Sequence, residues 1–414
     1  MSKNSENNNR NRIDKEIIKI HNSNMDTYFT KIYNNICDNP RYKKFYRPNS
    51  NKRLQIHKEL YNIYENIKLK AIDISRRNIV IDRIEKLIEE VCPEYIIVNY
   101  GSFSYDLSIL DSDLDFTLIP NTYYINNNKD NIKTNYDKDM FIGSHYNNKI
   151  NKSSDIFDDT IDNYSDNQYQ YKILHDIKSK IDKLLYKYNI DKINVLKVKV
   201  PLIRILFKDY TEISVDITAF QFSSIYAKYL IKNILRSNGL LFPLIIVIKY
   251  ILKEKALNKM KYNGLSSYGI FHLAYYFLIH LKKNNIYGNN KLNINLNYLT
   301  LSDLFLGFLE FYGVYFDYKS FGISIRNGCR IIKNNSDNKD NSNCFIKTII
   351  EDFIEPTKNV AEKCNFKLIA LLFKFCYISL IYSPEDLKII ISRIICLDFL
   401  DEYIKNHKQI INMK

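Results

Sequence analysis

Glycine is so scarce in this chain that whole classes of fold are closed to it. Only ten occur in 414 residues, at positions 101, 143, 239, 264, 269, 288, 307, 313, 322 and 328. No G-x-G-x-x-G and no G-x-x-x-x-G-K-[ST] can be assembled from those positions, so neither a dinucleotide-binding βαβ unit nor a P-loop is available. Any phosphate-binding device must be built differently. The means to bury a core are present, because 46% apolar and 26% charged residues is ordinary globular usage. The length suggests about two or three domains. Leu240–Tyr250 and Ile270–Leu281 are the longest apolar stretches, each broken by a Lys249 or His272 and short of the ~20 residues that span a bilayer. Met1–Lys15 is polar, holds Glu6 and Asp14, and has no apolar h-region, so no secretory leader is expected.

A formal net charge of +14 points to a polyanionic partner. The competing reading is an Asn- and Lys-rich proteome that makes every chain basic. Seven cysteines (Cys37, Cys92, Cys329, Cys344, Cys364, Cys376, Cys396) are an odd, scattered set without C-x-x-C spacing. They imply reduced thiols, an intracellular setting and no structural zinc.

Periodicity divides the chain. Residues 1–24 form a polar arm expected to be disordered. Leu54, His57, Leu60, Ile63 and Ile67 recur at helical spacing, and Val80, Ile84, Leu87, Ile88 and Val91 make a second stripe over Ile79–Val91, ended by Pro93. Tyr95–Tyr100 and Asp113–Ile119 read as strands. A low-complexity insertion occupies about 121–166, and a second polar insertion Asn334–Asn343. Ile173–Tyr186 is an amphipathic helix. Val195–Val200, Leu202–Phe207 and Glu212–Phe220 are three strand-like runs, the last two joined by a turn over Lys208–Thr211. After Ser223 only helices are expected: Ser224–Asn233, Leu241–Ala256, Ser266–Leu281, Leu301–Tyr312, Lys367–Tyr382 and Pro384–Lys405. The expectation is an α+β protein, a small mixed-sheet domain over 76–222 facing an all-helical domain of 25–75 plus 223–414 across a cleft.

The chemistry concentrates in Tyr100-Gly101-Ser102 and, after nine intervening residues, Ser112-Asp113-Leu114-Asp115-Phe116. On a strand, Asp113 and Asp115 share a face because the side-chain period is two. Two carboxylates within about 7 Å repel each other, and a divalent cation removes that cost. An oxygen donor set suits Mg²⁺ or Mn²⁺. Asp216, alone in the apolar run Ile213-Ser214-Val215-Asp216-Ile217, is an expensive residue unless paired or metal-bound. Three converging acids meet the requirement of two-metal phosphoryl transfer. A lone D-x-D is usually incidental. Gly101-Ser102 upstream and Asp216 at a strand centre turn it into a signal.

Gly101-Ser102-Phe103, Leu107 and Ser112-Asp113-Leu114-Asp115 together resemble the signature of the DNA-polymerase-β-like nucleotidyltransferases, most closely the non-canonical poly(A) polymerase and terminal uridylyltransferase branch. Asp106 stands where that family usually has Gly. The resemblance continues in Phe242-Pro243-Leu244 with Lys249 and Lys253, four apart on one helix face, and in Asn263-Gly264-Leu265-Ser266-Ser267-Tyr268. It extends through Leu301–Tyr312, Ile323–Gly328 and Ile350–Ala361, covering most of 76–400 outside the insertions. It implies a palm-like catalytic domain and a helical central domain. Asp113, Asp115 and Asp216 would bind two Mg²⁺ or Mn²⁺ ions and carry catalysis, and Gly101, Ser102, Lys249, Lys253 and Ser267 would hold the triphosphate. Tyr268 would stack the base, a contact that gives affinity without choosing the nucleotide. The blander reading keeps Ser266 as a helix cap and Tyr268 as packing.

The family's base-selecting segment maps onto Asp352, Glu355 and Lys358, with Phe353 in place of the usual Pro. Uridylyltransferases carry a His where Lys358 stands. An ammonium only donates, whereas imidazole can adapt to a uracil edge, so ATP is the expected substrate and UTP the alternative. The expected activity is template-independent addition of AMP to RNA 3′ ends, in nucleus or cytoplasm. Oligoadenylate or cyclic-dinucleotide synthesis and a catalytically silent subunit of a tailing complex are the more distant readings. Single-stranded RNA would be held by basic residues and tyrosines, with steep salt dependence. With no RNA-binding module of its own in view, the chain is expected to work with an RNA-binding or helicase partner, and without a membrane.

Overall fold

Alternation along the strands decides which face of the sheet is core. In the computed structural model, β1 (Tyr95–Tyr100) and β2 (Leu114–Pro120) pair antiparallel from Tyr95↔Pro120 to Tyr100↔Asp115. β5 (Ser214–Ala219) lies parallel to β2 on its other side. Beyond it come β4 (Leu202–Phe207) and β3 (Ile190–Leu196), each antiparallel to its neighbour. The order in this five-stranded mixed sheet is β1-β2-β5-β4-β3. Leu114, Phe116, Leu118, Ile203, Ile205, Phe207, Val215, Ile217 and Ala219 are all buried in one core. The intervening positions, Asp115, Thr117, Arg204, Asp216 and Thr218, face the other way.

The structure describes residues 50–121, 166–258, 263–284, 286–287, 290–291, 299–326, 329–333, 348–382 and 386–395. The polar arm 1–24, the segment 25–49 and nearly all of the insertion at 121–166 lie outside them. So do Asn334–Asn343, the distal part of the helix expected to reach Lys405, and Cys37, Cys344 and Cys396.

The described residues divide into two compact units, one within Ile67–Phe242 and the other drawn from Met1–Asn66 and Pro243–Lys414. The sheet unit is wider than the expected 76–222 because flanking helices bury their faces in it. α2 (Ala71–Val91) contributes Val80, Ile84, Leu87, Ile88 and Val91, and α4 (Asn167–Ile181) contributes Leu174, Ile177 and Ile181. α5 (Phe222–Ser237) adds Phe222 and Ile225 and sends Lys228 Nζ to the Asn99 carbonyl at 2.9 Å. Both α2 and α4 start earlier than their apolar stripes, because polar groups cap their first turns. The Asp73 carboxylate accepts from Lys70 N–H at 3.0 Å, and Asp166 accepts from Gln168 N–H at 2.8 Å.

In the other unit, α1 (Ser50–Ile67) buries Ile56 and Leu60, while Leu54, expected on the apolar face, is 53% exposed. Aromatic residues dominate where α7 (Ser267–Asn284), α8 (Leu301–Glu310) and α9 (Phe366–Tyr382) pack. Phe308 alone meets Phe277, Tyr312 and Phe373 within 6.0 Å between ring centroids. A Cβ on Gly313 would stand 2.5 Å from Lys374 N, so glycine there allows α9 its close approach. α6 (Leu241–Glu254) and α10 (Leu387–Ile395) are also helical.

Two expectations need correction. The helical unit is not all-helical, since strands continue past Ser223. β6 (Ile286–Tyr287) pairs with β7 (Asn290–Lys291), and β8 (Phe321–Ser324) lies between β9 (Arg330–Lys333) and β10 (Ile350–Glu351). Strands of two to four residues are too short for alternation to register. The run Val195–Val200 is also displaced: β3 is Ile190–Leu196, and 197–200 bends away before Pro201. As an edge strand, β3 has a largely polar outer face, which hid its first half.

The shift is testable by chemical denaturation. Ile205→Ala, at a fully buried β4 position, is expected to cost about 2–5 kcal/mol. Val198→Ala, 54% exposed outside the ladder, should change stability by no more than ~0.5 kcal/mol.

Candidate active site

One row of residues crosses the sheet in register: Tyr100, Asp115, Asp216, Arg204 and Asn194. Asp115 and Asp216 are direct partners on adjacent parallel strands, and Asp113 sits one residue before β2. Three acids thereby reach one end of one sheet face. Asp216 is 7% exposed, and its carboxylate receives a bidentate grip from Arg204, Nε to Oδ1 at 2.7 Å and Nη2 to Oδ2 at 2.6 Å. The hydrogen bonds to Asp216 hold the Arg204 guanidinium above its ordinary pKa, and the charges of Asp113 and Asp115 act the same way. Arg204 escaped the sequence reading. Its signal was the mirror of Asp216, a lone charge inside the apolar run Leu202-Ile203-Arg204-Ile205-Leu206.

Gly101 opens a one-turn helix, α3 (Gly101–Ser104), with φ +74°, and a Cβ there would lie 2.0 Å from Asp115 Oδ2. Glycine is therefore required twice, by the backbone and by the carboxylate lying against it. Ser102 Oγ is 3.0 Å from Ser108 Oγ. Asp106 adopts φ +64°, which explains why glycine is usual at this place and why Asp, one of the better-tolerated residues there, can substitute. Behind the acids, Thr218 Oγ1 donates to the Phe116 carbonyl at 3.0 Å, so the Tyr100 hydroxyl donates to Thr218 at 3.2 Å. Burial, with Asp115 nearby, raises the Tyr100 phenol well above its normal pKa and keeps it a donor.

Among the described residues, no three His, Cys, Asp or Glu side chains are gathered into a ready-made metal cluster. Asp216 is turned onto Arg204 and Asp115 lies against Gly101. The backbone register and the oxygen-only donor set nevertheless fit a hard divalent ion. Arg204 meanwhile neutralises the carboxylate such an ion would take.

The remaining candidates belong to the helical unit. Lys249 is 5% exposed on α6, and Lys253, one turn on, places its ammonium 5.8 Å from the Tyr250 ring centre. Ser266 Oγ accepts from Gly269 N–H at 3.2 Å and so serves as the α7 cap, which leaves Ser267 as the first helical residue. Tyr268 is half-buried. Its hydroxyl donates to Asp352 Oδ1 at 3.1 Å, and the same oxygen accepts from Ile354 N–H at 2.8 Å and Glu355 N–H at 3.2 Å. Asp352 thus anchors both the Tyr268 ring and the loop that carries Glu355 and the exposed Lys358. That loop closes through Asp352 N–H to the Lys358 carbonyl at 3.0 Å. Phe353 packs 5.9 Å from Tyr268 and 5.3 Å from His272.

His272 is fully buried, with Nδ1 2.8 Å from the Tyr268 carbonyl and Nε2 without a protein partner. The carbonyl fixes the proton on Nδ1. Burial pushes its pKa down to about 4, against smaller upward pulls from the Tyr268 carbonyl and Asp352.

Two outcomes follow from these geometries. Gly101→Ala should lose about 1–3 kcal/mol in urea denaturation, because a Cβ is strained at that φ and overlaps Asp115. For His272, the unfolded chain takes up a proton near pH 6.5 and the folded one only near 4. This contribution to stability is complete above 6.5 and declines as pH falls toward 4. His272→Phe should flatten the stability profile across that window, read by denaturation at several pH values.

Comparisons with known proteins point to one family. Residues 56–236 match the family described as poly(A) RNA polymerase, mitochondrial-like, central palm domain, and residues 300–358 match the Cid1 family poly A polymerase. Poly(A) RNA polymerase cid14 of Schizosaccharomyces pombe is 25% identical over 273 residues, 66% of this chain and 32% of that protein. The chain therefore spans about a third of the length of this curated relative. Among solved structures, that of Cid1, reported for its RNA terminal uridylyl transferase activity, superposes with TM-score 0.58 at 18% identity, covering 83% of this chain and 99% of that one. A chain of the GLD-2/RNP-8 complex superposes with TM-score 0.56 at 18% identity, covering 82% and 98%. Family models, motifs and fold coincide, and through residues 56–236 and 300–358 the chain belongs to the non-canonical poly(A) polymerase and terminal uridylyltransferase family.

Proposed function

We propose that the chain extends RNA 3′ ends without a template, adding AMP from ATP. The observation that carries this reading is the Asp115↔Asp216 register, with Asp113 two residues ahead of Asp115 and Gly101-Ser102 at the end of the neighbouring strand. Divalent ions, Mg²⁺ or Mn²⁺, held by Asp113, Asp115 and Asp216 would acidify the attacking hydroxyl and balance the charge on the triphosphate. The protein's own groups supply placement. Asp216 faces the RNA 3′-hydroxyl and takes its proton as the carboxylate leaves Arg204, while the liberated guanidinium stays beside the growing negative charge. Gly101 and Ser102 bring backbone and hydroxyl to the phosphates. In the helical unit, Lys249, Lys253 and Ser267 take the triphosphate, and Tyr268 offers its ring to the base.

The choice of ATP rests on Lys358, a donor-only side chain at the position where the uridylyltransferases have His. Lys358 is exposed, and its backbone rather than its ammonium closes the loop. UTP therefore stays as the second reading, with Asp352 shaping the pocket by fixing Tyr268 and Glu355 contributing from the loop edge. Single-stranded RNA 3′ ends are the acceptor, gripped by the basic surface that the +14 charge supplies. Such ends and their triphosphates meet inside the cell, in nucleus or cytoplasm. An RNA-binding or helicase protein is the proposed partner, and one chain of the GLD-2/RNP-8 complex has the same fold. Among the described residues no single helix is long and apolar enough to cross a membrane.

The test is extension of a labelled single-stranded RNA with each NTP supplied separately, in Mg²⁺ and in Mn²⁺, with Asp113→Ala as control. Extension with ATP alone, reduced at least ~10²-fold by the substitution, is expected. A ladder with UTP alone would reverse the nucleotide assignment. Extension that survives Asp113→Ala would refute the site.

A further inference from the structure

Two consecutive arginines on α2 reach the two turns that feed the acid-bearing strands. Arg77 continues the buried stripe of that helix one turn before Val80, yet it is a guanidinium, and it is only 2% exposed. A buried cation costs several kcal/mol unless it is paired and hydrogen-bonded, so its presence among Val80 and Ile84 calls for a purpose. Arg77 Nη2 donates to the carbonyl of Leu110, thirty-three residues later in the chain. Burial pulls the Arg77 guanidinium below its ordinary pKa, and the nearby charges of Asp73, Glu212 and Asp111 pull partly back towards the charged form. The Leu110 side chain is itself 55% exposed, so its own apolar burial does little to hold this turn. Polar contacts do so instead. Ile109 N–H donates to Ser112 Oγ at 3.0 Å, Ser112 N–H donates to the Ile109 carbonyl at 2.9 Å, and Lys68 forms a strand-like bridge with Ile109. Asp113 is the next residue.

The neighbouring Arg76 pairs with Glu212 at 3.1 Å, in the turn that leads into β5 and Asp216. That pair is half exposed on both sides and is a weak contact. The brace therefore rests on Arg77. A carboxylate binds a metal ion well only if its backbone is already in place, because a loose ligand must be ordered at the moment of binding.

We propose that Arg77 is a positioning residue for Asp113, acting through the Leu110 carbonyl to set the 109–112 turn in the geometry that a divalent cation requires. The inference rests on the reading of Asp113, Asp115 and Asp216 as a metal site. It assigns Arg77 no contact with RNA, nucleotide or ion.

The test is Mn²⁺ binding to the full chain, followed as the loss of the free-ion electron paramagnetic resonance signal, with folding checked by circular dichroism and thermal midpoint. Asp113→Ala is the site control, and Arg77→Met and Arg77→Lys are the variants. Arg77→Met is expected to raise the Mn²⁺ dissociation constant about tenfold. Arg77→Lys, which keeps a charge and a donor, should recover part of that loss. If Arg77→Met does not fold, Arg77→Lys decides alone: weaker Mn²⁺ binding by a folded protein upholds the proposal, and wild-type affinity overturns it. Wild-type affinity in both folded variants, with binding lost in Asp113→Ala, refutes the role of Arg77 and leaves the metal site standing. Equal binding by wild type and Asp113→Ala refutes the metal site, and the inference with it.

Discussion

Carboxylates side by side on adjacent parallel strands are the constraint around which the sheet unit is arranged. Asp115 and Asp216 face the same way because their strands are in register. With Asp113 they form a concentration of negative charge that would destabilise the sheet if left alone. Arg204 answers it from the next strand with two short hydrogen bonds to Asp216. The arrangement is poised. A bidentate ion pair balances the charge of Asp216, the carboxylate that the proposed mechanism assigns to the metal site. Replacing a guanidinium by a cation exchanges one positive partner for another, so the sheet need not change shape.

Support for that polar face comes from elements whose other sides are wholly apolar. Phe116, Ile205, Ile217 and their neighbours bury the opposite face of the strands against α2 and α4. A one-residue slip of β2 or β5 would carry an acid into this core and an apolar side chain out of it. Register and chemistry are therefore enforced together. The turns leading into the strands are held by polar contacts instead, because they lie at the edge of the core where apolar burial gives out. That explains why Arg77 and Ser112 occur there.

The helical unit follows the same logic with aromatic residues. Tyr268 is fixed at its hydroxyl by Asp352 and along its edge by His272 and Phe353. A ring held at both ends presents a defined face, at little entropic cost, to the base proposed to stack on it. The family resemblance assigns Asp352 to base selection, and matching a motif says nothing of which way a carboxylate turns. Three hydrogen bonds on Oδ1 make it an anchor. The three short strands of the second sheet were equally hidden, because two to four residues leave no periodicity to detect.

What the sequence determined by itself is local. The alternation of Asp113 and Asp115, the isolation of Asp216 in an apolar run, the Gly101-Ser102 turn and the helical stripe Val80–Val91 are set by spacing, and spacing is read directly. The tertiary structure alone decided which strands are neighbours, and with it that Asp216 lies between Asp115 on one side and Arg204 on the other. Pairing between segments about 100 residues apart depends on the whole core closing around them, not on any pattern within either segment. For the same reason Arg77, unremarked on its helix, acquires a partner only when the chain brings Leu110 back to it.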